Sequence, residues 1–412
     1  MLYIKLVNFF CINLGEGEMM PKYISIEMKA HIDTICTPLV KVGDSVDKGQ
    51  LIAKSDTTNI HSSVYGEVVE LDHKIIKILK DHEQPKEYVK IKDTASNLEA
   101  IKEAGIVGAG GGGFPTHIKL NVNLQGGCVI MNAAECEPVL GHNIRVVEDM
   151  ADTLIRGIRY VMGITNANRG YIAIKALHTR AIAAIVEACK GEADIEIKYL
   201  SDRYPSGDER VVVREVLGTC LEPGQLPIEA CTVVLNVETI KRIVEAIELR
   251  KPVISKDFTI GGRLVGTQGG SNRIYLDQPI GTPIKDYIDE CGGYLHPHVE
   301  IVLGGPFMGS GSSEEAVINK TLGGIFVAMP FPVDFRNFGI LACECGASED
   351  RLIEIVTGMG GNVVAQSKCK RMIDVGGRYR CDEPGNCPGQ AESVLRLKAE
   401  GAEAIVIGTC ED

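Results

Sequence analysis

From Tyr23 to about Lys92, apolar and polar positions alternate in short bursts: "KYISIEM", "TPLVKVGDSVDKGQLIAKSD", "SVYGEVVEL", "KIIKILK" and "EYVKIKD". A period of two broken by Gly-Asp and Lys-Gly turns predicts short strands in a compact all-β module. From about Leu98 to Ile260 the period lengthens. "GCVIMNAAE", "RGYIAIKAL", "DIEIKYLSD" and "ACTVVLNVE" are apolar runs that predict buried strands, while "EDMADTLIRGIRYVMG", "HTRAIAAIVEACKG" and "GDERVVVREVLG" repeat at helical spacing. This alternation predicts a mostly parallel sheet with crossover helices. Residues 261–312 read β, helix, β. From Phe338 the alternation resumes as strand "FGILAC", helix "SEDRLIEIVTGMG", strand "NVVAQSKC", helix "AESVLRLKAEG" and strand "AEAIVIGTC". The expectation is an α/β multidomain chain with units at 22–95, 98–260, 261–312 and 338–412.

Composition narrows the picture. A net charge of −12 over 412 residues argues against a nucleic-acid partner. No run of about 20 apolar residues is present to span a bilayer. The opening "MLYIKLVNFFCINL" is apolar, but no small-residue cleavage site follows it, and translation from Met19 or Met20 would remove it. Fourteen cysteines suit a reducing compartment, so the cytoplasm is expected.

The candidate chemistry begins at "GIVGAGGGGFPTHIKL", Gly105 to Leu120. A glycine run costs backbone order, and the usual return is a loop whose amides approach an anionic cofactor closely. A helix is expected from about Pro115, so its N-terminus would join such a site. No Gly-Lys-Ser/Thr of a P-loop is present, and the acidic residue of a dinucleotide fingerprint is missing at the expected distance. Next comes "VIMNAAECEPVLGHNIRV", in which a strand ends among Asn132, Glu135, Cys136 and Glu137, at the edge where open α/β sheets bind ligands. "YPSGDER" and "LNVET" follow.

Taken in this order, these motifs resemble the NADH-binding flavoprotein subunit of respiratory complex I, and more closely the C subunit of the Rnf complex. The likeness covers about residues 22 to 330. It implies a barrel-sandwich hybrid of the biotinyl/lipoyl type for the front module, with Lys54 a surface residue and the module a docking element. It also implies a Rossmann-like FMN- and NADH-binding domain and a β-grasp soluble-ligand-binding (SLBB) module at 261–312. Carried over by position, FMN phosphate would meet Gly108, Gly110, Gly111, Gly112, Gly113 and Lys119. Asn132 and Asn236 would meet the flavin or its ribityl chain, Glu135, Glu137 and Glu209 would face the nicotinamide dinucleotide, and Phe114 would offer a stacking surface. Complex I has Asp where this chain has Ala134, so contacts there do not carry over. The resemblance implies no protein acid or base, because hydride passes directly to the flavin.

The tail departs from the Rnf pattern, because no ferredoxin-type C-x2-C-x2-C-x3-C-P run occurs. Instead Cys343, Cys369 and Cys410 lie at or just after the ends of three expected strands, with Cys345, Cys381 and Cys387 nearby. In a parallel sheet they collect at one edge. Two readings stand: a metal, either zinc or an iron–sulfur cluster, on these six thiols, or a dithiol relay. An Rnf C-like front joined to such a tail resembles the PrdC group, electron-transfer proteins of D-proline reductase in amino-acid-fermenting anaerobes. That likeness implies electron flow from NADH through FMN and a cysteine centre to a soluble protein acceptor, D-proline reductase. The alternatives are a peripheral NADH-oxidising subunit of an Rnf-like complex, or a non-catalytic zinc-holding scaffold or sensor. Nothing in the chain excludes a homo-oligomer.

Overall fold

The computed structural model describes residues 22–31 and 34–408. The opening apolar stretch, Met19, Met20 and Cys410 lie outside the described residues.

The front of the chain folds as a short antiparallel pair, Lys29–His31 with Thr34–Ile35, and two larger antiparallel sheets. One orders Tyr23–Glu27, Ile75–Lys80, Gly66–Leu71 and Ser45–Val46 side by side, and the other joins Thr37–Pro38, Leu51–Lys54 and Asn59–His61. Alternate residues face inward, so Ile24, Ile26, Ile52, Val68, Ile76 and Ile78 share one core. Lys54 is exposed. The segment "EYVKIKD" is not a strand. Val89 N–H donates to Lys48 O at 2.7 Å and Ile91 N–H to Arg250 O at 2.9 Å. Its backbone groups are thus spent on two different neighbours, which leaves no ladder to form.

The central sheet is wholly parallel, in the order Ile195–Leu200, Arg169–Lys175, Cys128–Ala133, Thr232–Asn236. Helices His142–Thr165 and Val237–Glu248 pack on one face, burying Val147, Leu154, Ile158, Ile240 and Ile243 against the sheet. Helix Glu209–Leu217 covers the other face through Val212 and Val213. Gly157 lets the first two helices touch, because a Cβ there would sit 2.3 Å from Ile240 Cγ2.

A five-stranded mixed sheet follows. Ser255–Gly262 pairs antiparallel with Arg273–Pro279 and parallel with Gly324–Val327, with Ile301–Leu303 and Ser310–Ser312 beyond. Its first strand runs across the expected boundary at 260, and the sheet reaches past 312 to Val327. Helix Ile284–Glu290 buries Ile284, Tyr287 and Ile288 in its core. "GRLVGTQGG" is not a strand after Gly262; it winds into a 3₁₀ segment at Val265–Gly270.

In the terminal unit three parallel strands take the order Asn362–Lys368, Asn337–Ala342, Ala404–Gly408. Helices Glu349–Met359 and Ala391–Ala399 pack against them. A hairpin of Met372–Val375 with Arg378–Cys381, unanticipated from the pattern, projects from the sheet's end. Among the described residues no helix is long and apolar enough to cross a membrane.

Candidate functional site: a glycine-loop cavity beside a thiol cluster

The glycine run folds into a closed loop. Val107 bridges Pro115, Gly108 N–H donates to Phe114 O at 2.9 Å, and Gly113 N–H donates to Gly108 O at 3.1 Å. Gly111, at φ 101°, and Gly113, at φ 60°, occupy backbone space that other residues avoid. The loop rests on helix Val237–Glu248. Ala109 N–H donates to the Thr239 hydroxyl at 3.0 Å, and Lys256 Nζ donates to Ala109 O at 3.4 Å. A Cβ on Gly110 would lie 3.3 Å from Asn236 Nδ2, so glycine lets the loop lie against that amide.

Beneath Lys256 runs a buried charge network. Lys256 pairs with Glu238, Lys241 with Asp257 and Asp277, and Arg242 with Glu238, Glu245, Asp257 and Asp277. Burial pushes Asp257 and Glu245 up, but Arg242 together with Lys241 or Lys251 brings both below the ordinary carboxylate range. The network joins the helix under the loop to the mixed sheet beside it.

The loop forms one wall of a cavity of about 390 Å³ at the carboxyl edge of the parallel sheet. Of the twelve residues expected at a cofactor, eleven line it: Gly108, Gly110, Gly111, Gly112, Phe114, Lys119, Asn132, Glu135, Glu137, Glu209 and Asn236. Gly113 does not. It turns the chain back onto Gly108 and borders a second cavity behind the loop.

The individual placements are specific. Asn132 accepts from Ala134 N–H at 3.1 Å and donates from Nδ2 to Gly207 O at 2.9 Å, which holds the segment that leads into helix Glu209–Leu217. Asn236 caps helix Val237–Glu248, accepting from Glu238 N–H at 2.8 Å. Lys119 and Glu209 form an ion pair on the cavity wall. Glu135 has a φ of 41° and accepts from Asn143 N–H at 2.8 Å and Asn143 Nδ2 at 3.2 Å, placing its charge at the start of helix His142–Thr165. Glu137 accepts from the N–H groups of Phe307 and Met308, each at 2.9 Å. Burial raises its carboxyl despite these two bonds. Both carboxylates therefore serve as ties to the backbone as well as walls of the cavity.

Other lining residues are not singled out from the sequence. Asn143 lies within the strand-end stretch without being singled out, and Gly304, Gly305, Met308 and Thr321 enter from the mixed-sheet region, far along the chain. Thr116, two residues past Phe114, could have been read from the Phe-Pro-Thr run. The Oγ1 of Thr116 and the Oδ1 of Asn143 are buried without a hydrogen-bond partner. With the glycine cradle and Lys119, these groups fit a phosphate-bearing polar cofactor such as FMN.

The thiols gather where the strand ends predict. Cys343 follows Asn337–Ala342 and Cys369 follows Asn362–Lys368, and together with Cys345 they form a buried cluster against Cys387, Met372 and Tyr204. Gln390 Nε2 donates to Cys369 Sγ at 3.0 Å and to Cys387 Sγ at 3.7 Å. The hairpin carries Cys381 to the same place, where a hydrogen bond with Cys345 holds its thiol below the usual value. Burial pushes Cys369 up. Among the described residues no group of three or more His, Cys, Asp or Glu is placed to hold a metal ion, and Cys410, the sixth thiol, is not among them.

Tyr204 connects the two regions. It packs on the thiol cluster, its ring meets Phe307 edge-on at 4.6 Å, and Phe307 N–H holds Glu137 in the cavity wall. Arg210 Nη1 donates to Cys381 O at 2.6 Å, Arg210 Nη2 to Asp382 O at 2.9 Å, and Arg214 to Pro384 O at 3.0 Å. The hairpin is thereby tied to helix Glu209–Leu217.

Residues 101–245 match the Nuo51 FMN-binding domain, and residues 16–92 match the RnfC barrel sandwich hybrid domain. Cavity and matches together define a flavin-binding electron-transfer oxidoreductase. The C subunit of the Na(+)-translocating ferredoxin:NAD(+) oxidoreductase complex of Acetobacterium woodii is 30% identical over 319 residues, 72% of this chain and 70% of that protein. Its counterpart in the proton-translocating ferredoxin:NAD(+) oxidoreductase complex of Clostridium ljungdahlii is 34% identical over 71% of this chain and 68% of its own. The chain belongs to this family of Rnf-type C subunits. Cobalamin reductase PduS of Citrobacter freundii is also similar, at 35% identity over 57% of this chain and 50% of that protein.

Proposed function

We propose that this protein oxidises NADH at an FMN held in the glycine-loop cavity and passes the electrons through the cysteine cluster to a protein acceptor. The observation that carries the reading is the convergence of eleven separated residues on one cavity whose wall continues, through Phe307 and Tyr204, to the thiols. FMN, when bound, supplies a ring that takes a hydride from reduced nicotinamide and releases electrons singly.

The chain's own groups bind and orient. The amides of Gly110 to Gly112 and the Lys119 ammonium would hold the phosphate, while Thr116 and Asn143 would offer hydrogen bonds to the polar parts of the cofactor. Asn132 and Asn236 fix the loop and strand end around it. Phe114, 43% exposed at the rim, supplies an aromatic face for a second planar ring. Cys343, Cys345, Cys369, Cys381 and Cys387, with Cys410, form the electron exit. Thiolates of this kind ligate iron–sulfur clusters and zinc, but the described thiols are not placed to hold a metal ion, and the Cys345–Cys381 contact favours a thiol pair.

The acceptor implied by the tail's resemblance is D-proline reductase, and a cytoplasmic site of action goes with it. The names of the relatives offer the competing acceptors, a ferredoxin:NAD(+) oxidoreductase complex or a cobalamin. Pull-down of the reduced protein, followed by acceptor-reduction assays with each candidate, tests this part. Reduction of D-proline reductase at a rate above the other two supports it, and reduction of only a membrane complex or a cobalamin overturns it. Iron, zinc and acid-labile sulfide analysis of anaerobically purified protein tests the exit: a stoichiometric metal supports the cluster, and a metal-free protein with a reducible disulfide supports the thiol pair.

A further inference from the structure

The glycine loop has a second side. Behind it lies a cavity of about 400 Å³ that shares Gly111, Gly112 and Thr321 with the flavin cavity and also reaches Gly113. Its apolar wall comes from Ile60, Val253 and Ile280, contributed by the front module and the start and end of the first hairpin of the mixed sheet.

Two ionisable side chains line this space, His61 buried and Lys320 partly buried. Lys320 Nζ donates to Asn59 O at 2.8 Å and Gly105 O at 2.7 Å, and among the described residues no carboxylate pairs with it. Burial pushes the ammonium down to about 8, so it still carries most of its charge at neutral pH. His61 is 5% exposed, and its Nδ1 is buried without a hydrogen-bond partner. Burial, aided by Lys320, lowers the imidazole to about 3 and keeps it neutral. Lys29 stands on the wall as a further cation, and the acid there, Glu27, accepts from Asn319 at 3.3 Å. A partly buried cation held only by backbone carbonyls, with no carboxylate partner among the described residues, and a buried ring nitrogen without a partner each carry a desolvation cost. A single anionic group between them would satisfy both.

We propose that the cavity behind the glycine loop binds a small oxyanion, a phosphoryl or carboxylate group, held by Lys320 and His61 with any apolar remainder against Ile60, Val253 and Ile280. This site is separate from the flavin cavity and requires no part of the electron-transfer reading. Because Gly111 and Gly112 wall both spaces, occupancy behind the loop changes the backbone that FMN meets in front, and the coupling is reciprocal.

The test is calorimetric titration of the full-length protein with inorganic phosphate and, separately, with acetate, each with and without saturating FMN. The expected result with saturating FMN is one saturable site per chain; without FMN, phosphate also enters the flavin cavity as a second site. Lys320→Met should weaken the site seen with FMN at least tenfold and His61→Phe several-fold, while Lys119→Met, on the other side of the loop, leaves it unchanged. The tighter arm identifies the phosphoryl or carboxylate source. If Lys320→Met does not fold by circular dichroism, Lys320→Arg should retain binding, and His61→Phe then carries the comparison. The proposal is overturned by an absence of binding in both arms, by affinities indifferent to Lys320 and His61, or by binding that is lost with Lys119→Met, which would place the anion in the flavin cavity.

Discussion

Gly112 separates what the fold requires from what a ligand requires. Its φ is not positive, and a Cβ there would meet nothing within 4 Å, so the folded chain has no use for glycine at this position. Gly112→Ala should leave the melting temperature unchanged while weakening FMN binding, because only a close-lying ligand would meet the added methyl. Fluorescence titration of FMN beside a thermal melt checks this. Gly305 behaves oppositely. A Cβ there would fall 2.2 Å from the carboxyl carbon of Glu137, and that carboxylate is fixed by two backbone amides. Gly305→Ala should therefore destabilise the protein by about 1–3 kcal/mol as well as weakening FMN, measured by urea unfolding. The motif residues were legible because glycines, strand-end amides and carboxylates recur at fixed offsets. What escaped was their bonding: the sequence does not reveal that Glu137 spends both oxygens on backbone N–H groups, because Phe307 lies 170 residues away from it.

Helix Val237–Glu248 and strand Ser255–Gly262 hold the loop through charges that a hydropathy pattern marks as surface. Lys241, Lys256, Glu238 and Asp257 are almost completely buried, and their mutual pairing is what permits it. Removing one partner strands the others, so Lys256→Met should cost about 3–5 kcal/mol, whereas Lys285→Met, which breaks the exposed pair with Asp289, should cost less than about 1 kcal/mol. Urea denaturation of both variants makes the comparison. The same network sets an acid response. Asp257 and Glu245 titrate below their unfolded values of 3.8 and 4.5, so the stability they add is complete above those values and is lost as pH falls through the folded ones. The urea midpoint should hold steady from pH 7 to about 5 and fall below about 4; a midpoint that rises on acidification would contradict the network's role. Strand and helix positions around this network were readable from apolar runs such as "GCVIMNAAE" and "ACTVVLNVE". The helix at Val237 was not, because its buried face carries Lys, Arg and Glu, and the hairpin Met372–Val375/Arg378–Cys381 was not, because its residues are mostly exposed and have no alternating apolar face.

At the scale of the molecule, a thiol-bearing unit is tied both to the helix flanking the parallel sheet and to the mixed-sheet region. Arg210 and Arg214 grip the backbone of residues 381–384, Arg351 pairs with Glu300 of the mixed sheet, and Tyr204 meets Phe307 between cavity and thiols. If electrons cross at this junction, Arg210→Ala should slow transfer to an external acceptor by an order of magnitude or more while leaving flavin reduction by NADH intact, a split that stopped-flow at two wavelengths would resolve. The sequence foretold that Cys343 and Cys369 meet, since both follow parallel strands, but not that Cys381 reaches them on a hairpin or that Tyr204 closes the gap. The claim on which the rest depends is that the glycine-loop cavity holds FMN reducible by NADH. Anaerobic titration of the FMN-loaded protein with NADH, followed in the visible spectrum, measures it directly: stoichiometric bleaching of the flavin bands, lost in Lys119→Met, is the predicted result, and a protein that neither retains FMN nor responds to NADH would contradict it.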